Sequence, residues 1–307
     1  MHEPARVLVL LATHNGERYL RDQLATILGQ EGVELRLVVS DDASTDGTRA
    51  ILEEAAAADP RVELLEPGRF GTPSGNFYRL LLDADLAWAD AVGFADQDDL
   101  WLPGKLERHA AILRDGRVDG VSSNVVAFDE EGRRALVRKD YPQRRLDYVF
   151  ETPGPGSSML LSRRLAELVA AQLRSPDSPA RDAWSHDLLF YALCRAAGLG
   201  WRIDPEPSVE YRQHGEQAIG ANGTVQAAAK RIQLTATRWH RKLVRIIVES
   251  CIHVAAPSEL PRLQWLHEVL AAETPTNAAR LARRAGEFRR RPRDRAILAG
   301  LFTSGLW

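Results

Sequence analysis

The segment RVLVLLAT, beginning at Arg6, sets six apolar residues in a row with no polar alternation. Such a run predicts a strand buried on both faces, as in a parallel sheet. GERYLRDQLATILGQ follows, with Leu20, Leu24, Ile27 and Leu28 at helical spacing. ELRLVVSDD predicts a second strand that ends in two aspartates. TDGTRAILEEAAAA predicts a second helix with Thr45 or Asp46 as N-cap. VELLEP reads as a third strand, SGNFYRLLLDAD as a helix and AVGFADQDD as a fourth strand. This alternation predicts an α/β fold, a mainly parallel sheet flanked by helices and joined by right-handed crossovers. In such sheets ligands gather at the carboxyl ends of the strands. His14, Asp41, Asp42, Asp96, Asp98 and Asp99 all fall there, so the pattern alone gathers them into one cleft.

Beyond Asp99, LPGKLERHAAILR predicts a helix opened by Pro103. GVSSNVVAFDEEGR predicts a strand and a hairpin. TPGPGSSMLLSRRLAELVA predicts a Gly/Pro-rich loop, a short strand and a helix. DAWSHDLLFYALCRAAG predicts a helix with His186 and Asp187 in its first turn, and EPSVEYRQHGEQAIG a strand followed by a loop. From about Thr224 the composition turns to Ala, Arg, Leu and Ile. A boundary near Ala221 is expected, with a catalytic domain over 1–221 and a helical, basic extension over 222–307.

Composition alters little in this picture. Of 307 residues, 45% are hydrophobic and 27% charged, which is ordinary for a soluble globular chain. The net charge of −2 gives no reason to expect nucleic acid as a partner. Cys194 and Cys251 fit no ligand or redox spacing and read as buried apolar residues in a reducing compartment. MHEPARVLVLLATHNG lacks the features of a signal peptide, and no run of about 18 apolar residues predicts a membrane span. The expected location is cytoplasmic, extending to the inner face of the cell membrane.

Three acids within FADQDDLW form a costly arrangement, because like charges this close raise each other's pKa. Grouped hard oxygen ligands suit Mg²⁺ or Mn²⁺, whereas a solvated turn or a helix N-terminus is the plain alternative. The spacing excludes a calcium loop of the EF-hand type. No Gly-rich phosphate loop follows the first strand, so phosphate binding would run through the metal.

LATHNGERYLRDQLATILGQ, VVSDDASTDGT and FADQDDLWLPGKLE, in this order and spacing, resemble the family 2 glycosyltransferases with the GT-A fold. DQDDLW and the later YRQHG are most similar to bacterial rhamnosyltransferase-like members, and the resemblance covers roughly residues 5–220. It implies inverting sugar transfer from a nucleotide-sugar, with Mn²⁺ or Mg²⁺ on the diphosphate. By the same resemblance, Thr13, His14 and Asn15 lie near the base and ribose. His14 either stacks on the base or is a loop histidine. Asp42 resembles the acid that accepts a hydrogen bond from the pyrimidine N3–H, with Asp41 as the alternative. Asn76 matches a position that often reads Arg-Asn in relatives, but here Gly75 replaces the arginine. Asp98 matches the direct metal ligand, Asp96 contacts the ribose or the metal, and Asp99 stands behind them.

WSHDLLF matches the place where relatives carry Glu-Asp before a helix, which makes Asp187 the expected base, with His186 in place of the glutamate. The plain alternative for Asp187 is a first-turn acid. His214 resembles a histidine that joins the aspartates on the metal in some relatives, or hydrogen-bonds the diphosphate. Trp101 and Trp184 flank the two acidic motifs as sugar platforms or as core residues.

The C-terminal RLARRAGEFRRRPRDRAILAGLFTSGLW holds eight arginines against two acids. With AAAKRIQLTATRWHRKLVRIIVESCIHV before it, this suits peripheral contact with an anionic membrane, or else a helical appendage packed on the protein. The expected activity is transfer of a sugar, L-rhamnose from a dTDP donor being favoured over a UDP-sugar, to a cell-surface glycan or lipid-linked acceptor. A nucleotidyltransferase, or a non-catalytic protein that binds sugar-nucleotides or glycans, are the rivals.

Overall fold

Strand β1 (Ala5–Thr13) is the axis of a seven-stranded sheet. It pairs in parallel with β2 (Val33–Asp41) on one side and β4 (Ala91–Asp96) on the other, and β3 (Val62–Leu64) extends the β2 edge. Val7 through Leu11 are fully or almost fully buried, as expected for an unbroken apolar run inside a two-sided sheet. Successive side chains leave opposite faces. Val7, Val9 and Leu11 share one core with residues of the helices α1 (Leu20–Leu28), α2 (Thr48–Ala58) and α4 (Lys105–Arg114). A second layer contains α3 (Pro73–Asp83) and α5 (Arg163–Arg174), which pack on each other and on the same sheet. Thr72 caps α3 by accepting from Gly75 N, and Ser162 caps α5 by accepting from Leu165 N.

The structure is a computed structural model and describes residues 3–213 and 239–307. Two features depart from the simple parallel reading. Strand β9 (Leu160–Ser162) inserts antiparallel between β4 and β6 (Gly120–Ser123), and β10 (Trp201–Asp204) then pairs in parallel with β6. A separate four-stranded sheet joins β5 (Leu100–Trp101), β11 (Val209–Arg212), β7 (Val125–Phe128) and β8 (Arg134–Val137) in that order. Helix α4 begins at Lys105 after Gly104 with φ of 76°, so Pro103 precedes the helix and does not open it.

The chain divides into two compact units. One comprises residues 1–140, 153–175 and 199–212, and holds both sheets. The other comprises residues 141–152, 176–198 and 213–307. The boundary expected near Ala221 lies outside the described residues, as does the first part of the basic helix, including Lys230, Arg231, Ile232 and Arg238.

The second unit is helical. Helix α6 (His186–Ala196) is buried nearly all round, from Leu188 through Cys194. Helices α7 (Trp239–Ile252), α8 (Leu260–Ala271), α9 (Pro275–Arg283), α10 (Ala285–Phe288) and α11 (Pro292–Thr303) follow. Phe150 stacks on Phe288 with centroids 4.3 Å apart, and Phe302 meets Trp307 at 4.8 Å. Asp147, fully buried, accepts from Tyr191 Oη at 3.0 Å and from Arg290 Nη1 at 3.1 Å, and Arg290 is itself only 2% exposed. Leu281, Phe288, Phe302 and Trp307 are therefore core residues, while Ile297 is half exposed. At these positions the tail is a packed helical body rather than a detachable strip of charge. Cys194 and Cys251 are buried free thiols. No described helix is long and apolar enough to cross a membrane.

Candidate active site

The carboxyl ends of β1, β2 and β4 meet by strand register: Thr13 lies opposite Asp41, and Ala12 opposite Asp96. Side chains then tie the three loops together. Gln97 and His14 exchange two hydrogen bonds, from His14 N to Gln97 Oε1 at 2.7 Å and from Gln97 Nε2 to His14 O at 2.8 Å. Gly16 gives this amide room, since a Cβ there would stand 2.4 Å from Gln97 Oε1. Asn15, at φ 49°, donates its backbone N–H to Ser44 Oγ at 2.9 Å, and its Oδ1 accepts from Thr45 N at 2.8 Å. Ala43 also holds a left-handed φ of 53°. Non-glycine residues enter that region at a cost, and such strain clusters at functional sites.

Each expected nucleotide residue has a defined partner. Thr13 is buried and donates to Asp41 Oδ1 at 2.9 Å, and Asp41 also accepts from Ser44 N and Ser44 Oγ. Asp41 is thus consumed in holding the β2 loop. Asp42 is half buried and accepts from Phe70 N at 2.6 Å and Gly71 N at 2.9 Å, one bond to each oxygen. A carboxylate has about four lone-pair sites, so Asp42 retains acceptor capacity. His14 is exposed. Its Nδ1 donates to Asp42 O at 2.6 Å, and Nε2 accepts from Asn15 Nδ2 at 3.3 Å, which sets the tautomer. Asn76 is buried and donates to Ser40 O at 2.9 Å and Thr13 O at 3.3 Å, clamping β1 to β2. Glycine stands at 75 because a Cβ would come within 2.9 Å of Phe70 O. One turn later, Arg79 donates to Ser40 Oγ and Glu66 O, both at 2.9 Å.

The acidic loop divides its three carboxylates by exposure. Asp96 and Asp98 are half buried, and the Asp96 carbonyl accepts from Gln23 Nε2 at 2.7 Å. Asp99 is fully buried. It accepts from Ser157 Oγ at 2.5 Å and from Arg212 N at 3.2 Å. Burial first, then the charges of Asp96 and Asp98, pushes its pKa well above the usual carboxylate range. Lys105, also fully buried, sits with Nζ 3.2 Å from the Trp101 ring centroid, and burial holds its pKa well below the usual value. Trp101 is 3% exposed and belongs to the central core, so it is no sugar platform. Among the described residues no three His, Cys, Asp or Glu side chains converge as a metal-binding set. Asp96 and Asp98 still offer the hard oxygens that suit a Mg²⁺- or Mn²⁺-type ion completed by substrate phosphates and water. His214 lies outside the described residues.

Asp187 occupies the first turn of α6 in the helical unit, half buried. Its Oδ1 accepts from Ser185 Oγ and Leu188 N. His186 is buried edge-on to Phe190 at 5.7 Å, and burial lowers its pKa. Trp184 is partly buried against Trp239, with centroids 5.4 Å apart. Gln97, Ser157 and Arg212 were not singled out in the sequence. Each acts through a long-range contact that no periodicity announces, although Gln97 stands inside the acidic motif itself.

Residues 8–166 match the family described as Glycosyl transferase family 2. The chain is 35% identical over 242 residues to the dTDP-rhamnosyl transferase RfbG of Shigella flexneri, covering 78% of this chain and 84% of that protein. It is 32% identical over 136 residues to the putative glycosyltransferase EpsE of Bacillus subtilis, covering 44% of this chain and 48% of the relative. Among solved structures, S. aureus TarS 1–349 in complex with UDP-GlcNAc shares the fold. Its TM-score is 0.57 at 17% identity, over 98% of this chain and 82% of that one. The mannosyltransferase PcManGT from Pyrobaculum calidifontis, in complex with GDP-Man and Mn²⁺, gives 0.52 at 22%, over 99% and 86%. The chain belongs to glycosyltransferase family 2. It is a glycosyltransferase enzyme on a GT-A sheet, followed by C-terminal helices.

Proposed function

We propose that the protein transfers L-rhamnose from dTDP-L-rhamnose to a hydroxyl of a cell-surface glycan or lipid-linked acceptor, with inversion at the anomeric carbon. The observation that carries this reading is the meeting of three strand-end loops, in which Asp42, Asp96 and Asp98 keep partly exposed carboxylates while Asp41 and Asp99 are spent on holding the loops. The sugar is favoured by the 35% identity to a dTDP-rhamnosyl transferase along most of its length.

Asp42, with acceptor capacity left, takes the N3–H of thymine, and His14 lies by the base with its ring exposed. Asn15 and Thr13 shape the ribose end. Asp96 and Asp98 are the residues that hold Mn²⁺ or Mg²⁺, with Asp99 behind them. When bound, the ion stabilises the departing diphosphate as a Lewis acid. Asp187 takes the proton from the acceptor hydroxyl as its oxygen bonds to the anomeric carbon and the bond to the diphosphate breaks. Ser185 donates to it and orients it without neutralising it. Trp184 lies beside it as an acceptor contact, with the buried His186 behind. The exposed Arg283, Arg291 and Arg293, with Ile297 and Leu306, favour peripheral contact with an anionic membrane on the cytoplasmic side.

The test is a donor screen with Mn²⁺ present. The correct nucleotide-sugar raises the melting temperature above that of its bare nucleotide, because ligand binding adds to stability. It is also consumed with release of the nucleoside diphosphate. Asp98→Ala should fold and lose the metal-dependent part of binding. The reading fails if dTDP-L-rhamnose is neither bound nor consumed, and the metal assignment fails if Asp98→Ala binds donor as tightly as the native enzyme.

A further inference from the structure

Arg212 closes β11 at the edge of the acidic loop. The strand runs antiparallel to β5, with Val209 opposite Trp101 and Glu210 opposite Leu100. Continuing that register carries Arg212 back to the residues just before β5. Its backbone N–H donates to Asp99 Oδ1 at 3.2 Å, and its Nε donates to the Asp98 carbonyl at 2.8 Å. The guanidinium lies between two rings, 4.3 Å from the Tyr19 centroid and 4.6 Å from that of Phe128. Tyr19 is in turn held by a hydrogen bond from its hydroxyl to Glu130 at 3.1 Å.

We infer that Arg212 is a positioning residue that presets the acidic loop for the divalent ion and diphosphate of the donor, an inference that rests on the function proposed above. Two consequences of its geometry carry this. The carbonyl and the side chain of Asp98 turn on one backbone, so fixing the carbonyl fixes where the Asp98 carboxylate can point. The guanidinium also brings a permanent positive charge to a loop of three acids, lowering their repulsion before any cation arrives. Packing between Tyr19 and Phe128 sets the tilt of the planar group, a task that the flexible ammonium of lysine does not perform. Arg212 thereby makes the pair Asp96 and Asp98 ready rather than forming bonds to the reacting atoms.

The experiment titrates Mn²⁺ with dTDP into the full-length protein by calorimetry, alongside donor KM and kcat. Arg212→Met should raise the dissociation constant and the donor KM about tenfold or more, the range expected for losing a charge-assisted hydrogen bond, while kcat at saturating donor stays close to native. Arg212→Lys keeps the charge without the flat group and should recover only part of the loss. Tyr19→Leu, at a half-exposed position, removes one face of the sandwich and should shift both constants in the same direction by a smaller factor. If Arg212→Met does not fold, Tyr19→Leu alone decides. Unchanged dissociation constant and KM in the folded variants would overturn the inference, as would a fall in kcat with binding intact. If the native enzyme itself binds no Mn²⁺ and dTDP, the proposed function fails instead, so the two failures are separable.

Discussion

The helical unit and the sheet unit each contain a buried aspartate near further acids, and they treat it in opposite ways. Asp147, with Glu151 close by, is matched by Arg290, whose Nη1 donates to Asp147, whose backbone N–H donates to Glu151 and whose Nε lies 3.2 Å from Glu151, and Arg195 lies 3.7 Å from Asp147. Burial raises the Asp147 pKa while the two arginines pull it down. Asp99 is met by a hydroxyl and a backbone amide, and Asp96 and Asp98 push its pKa further up. The first arrangement closes its charge account within the fold. The second keeps acid at a strand end, half open, where an incoming cation would be stabilised. The same residue type is therefore a structural staple in one place and, in the function proposed here, a ligand in the other. What separates them is exposure: Asp147 is closed inside its unit, whereas Asp96 and Asp98 beside Asp99 are half open.

That contrast can be broken from the staple side first. Arg290→Leu removes the nearer of the two arginines on the buried Asp147 and should cost about 3 kcal/mol, measured by chemical denaturation. The double change Arg290→Met with Asp147→Leu should recover much of it, because an apolar pair needs no compensation. An Arg290→Leu protein as stable as the native one would show that the network is idle.

Next in size is a test of chemistry. Asp187→Asn keeps shape and removes the proposed proton acceptor, so kcat should fall about 10²-fold or more with donor affinity unchanged. Weakened donor binding with kcat intact would move Asp187 from proton acceptor to binding residue.

The smallest effect is on pH. Burial, aided by Arg289, pushes the His240 pKa down to about 3. Below pH 6.5 the unfolded chain takes up a proton that folded His240 refuses, so stability falls as the solution is acidified. Between pH 7 and 5 this group contributes about 2 kcal/mol of that loss. His109 and His186, also depressed by burial, act in the same direction. His240→Phe should flatten the dependence of the melting temperature on pH over that interval, and an unchanged slope would remove His240 as a contributor.

The first hundred residues were legible because their signals are local. Val7 to Leu11 announce a two-sided strand without help from distant sequence, and each acid follows directly on such a run. The insertion of β9 and the second sheet were not legible. β5 has two residues and β9 three, too short for a period, and their partners are remote in sequence. Arg212 was hidden for the same reason, since its role depends on the pairing of β5 with β11. In the C-terminal stretch, counting charge could not tell Arg290, buried on Asp147, from the exposed Arg291 and Arg293. Arginine covers apolar surface and pairs with acids equally well, and only packing tells which.

The division of the chain into interleaved pieces bears on how the protein emerges from the ribosome. The sheet unit has all its segments once residue 212 is made. The helical unit has two of its three by residue 198, yet Asp147 must wait 143 residues for Arg290, and Phe150 waits similarly for Phe288. At translation speeds of about 5–20 residues per second, that is roughly 7–30 seconds with an acid and an aromatic face uncovered. Residues 141–152 and 176–198 are thus the stretches for which a chaperone would have most to do, and a slow codon after position 212 would lengthen the exposure.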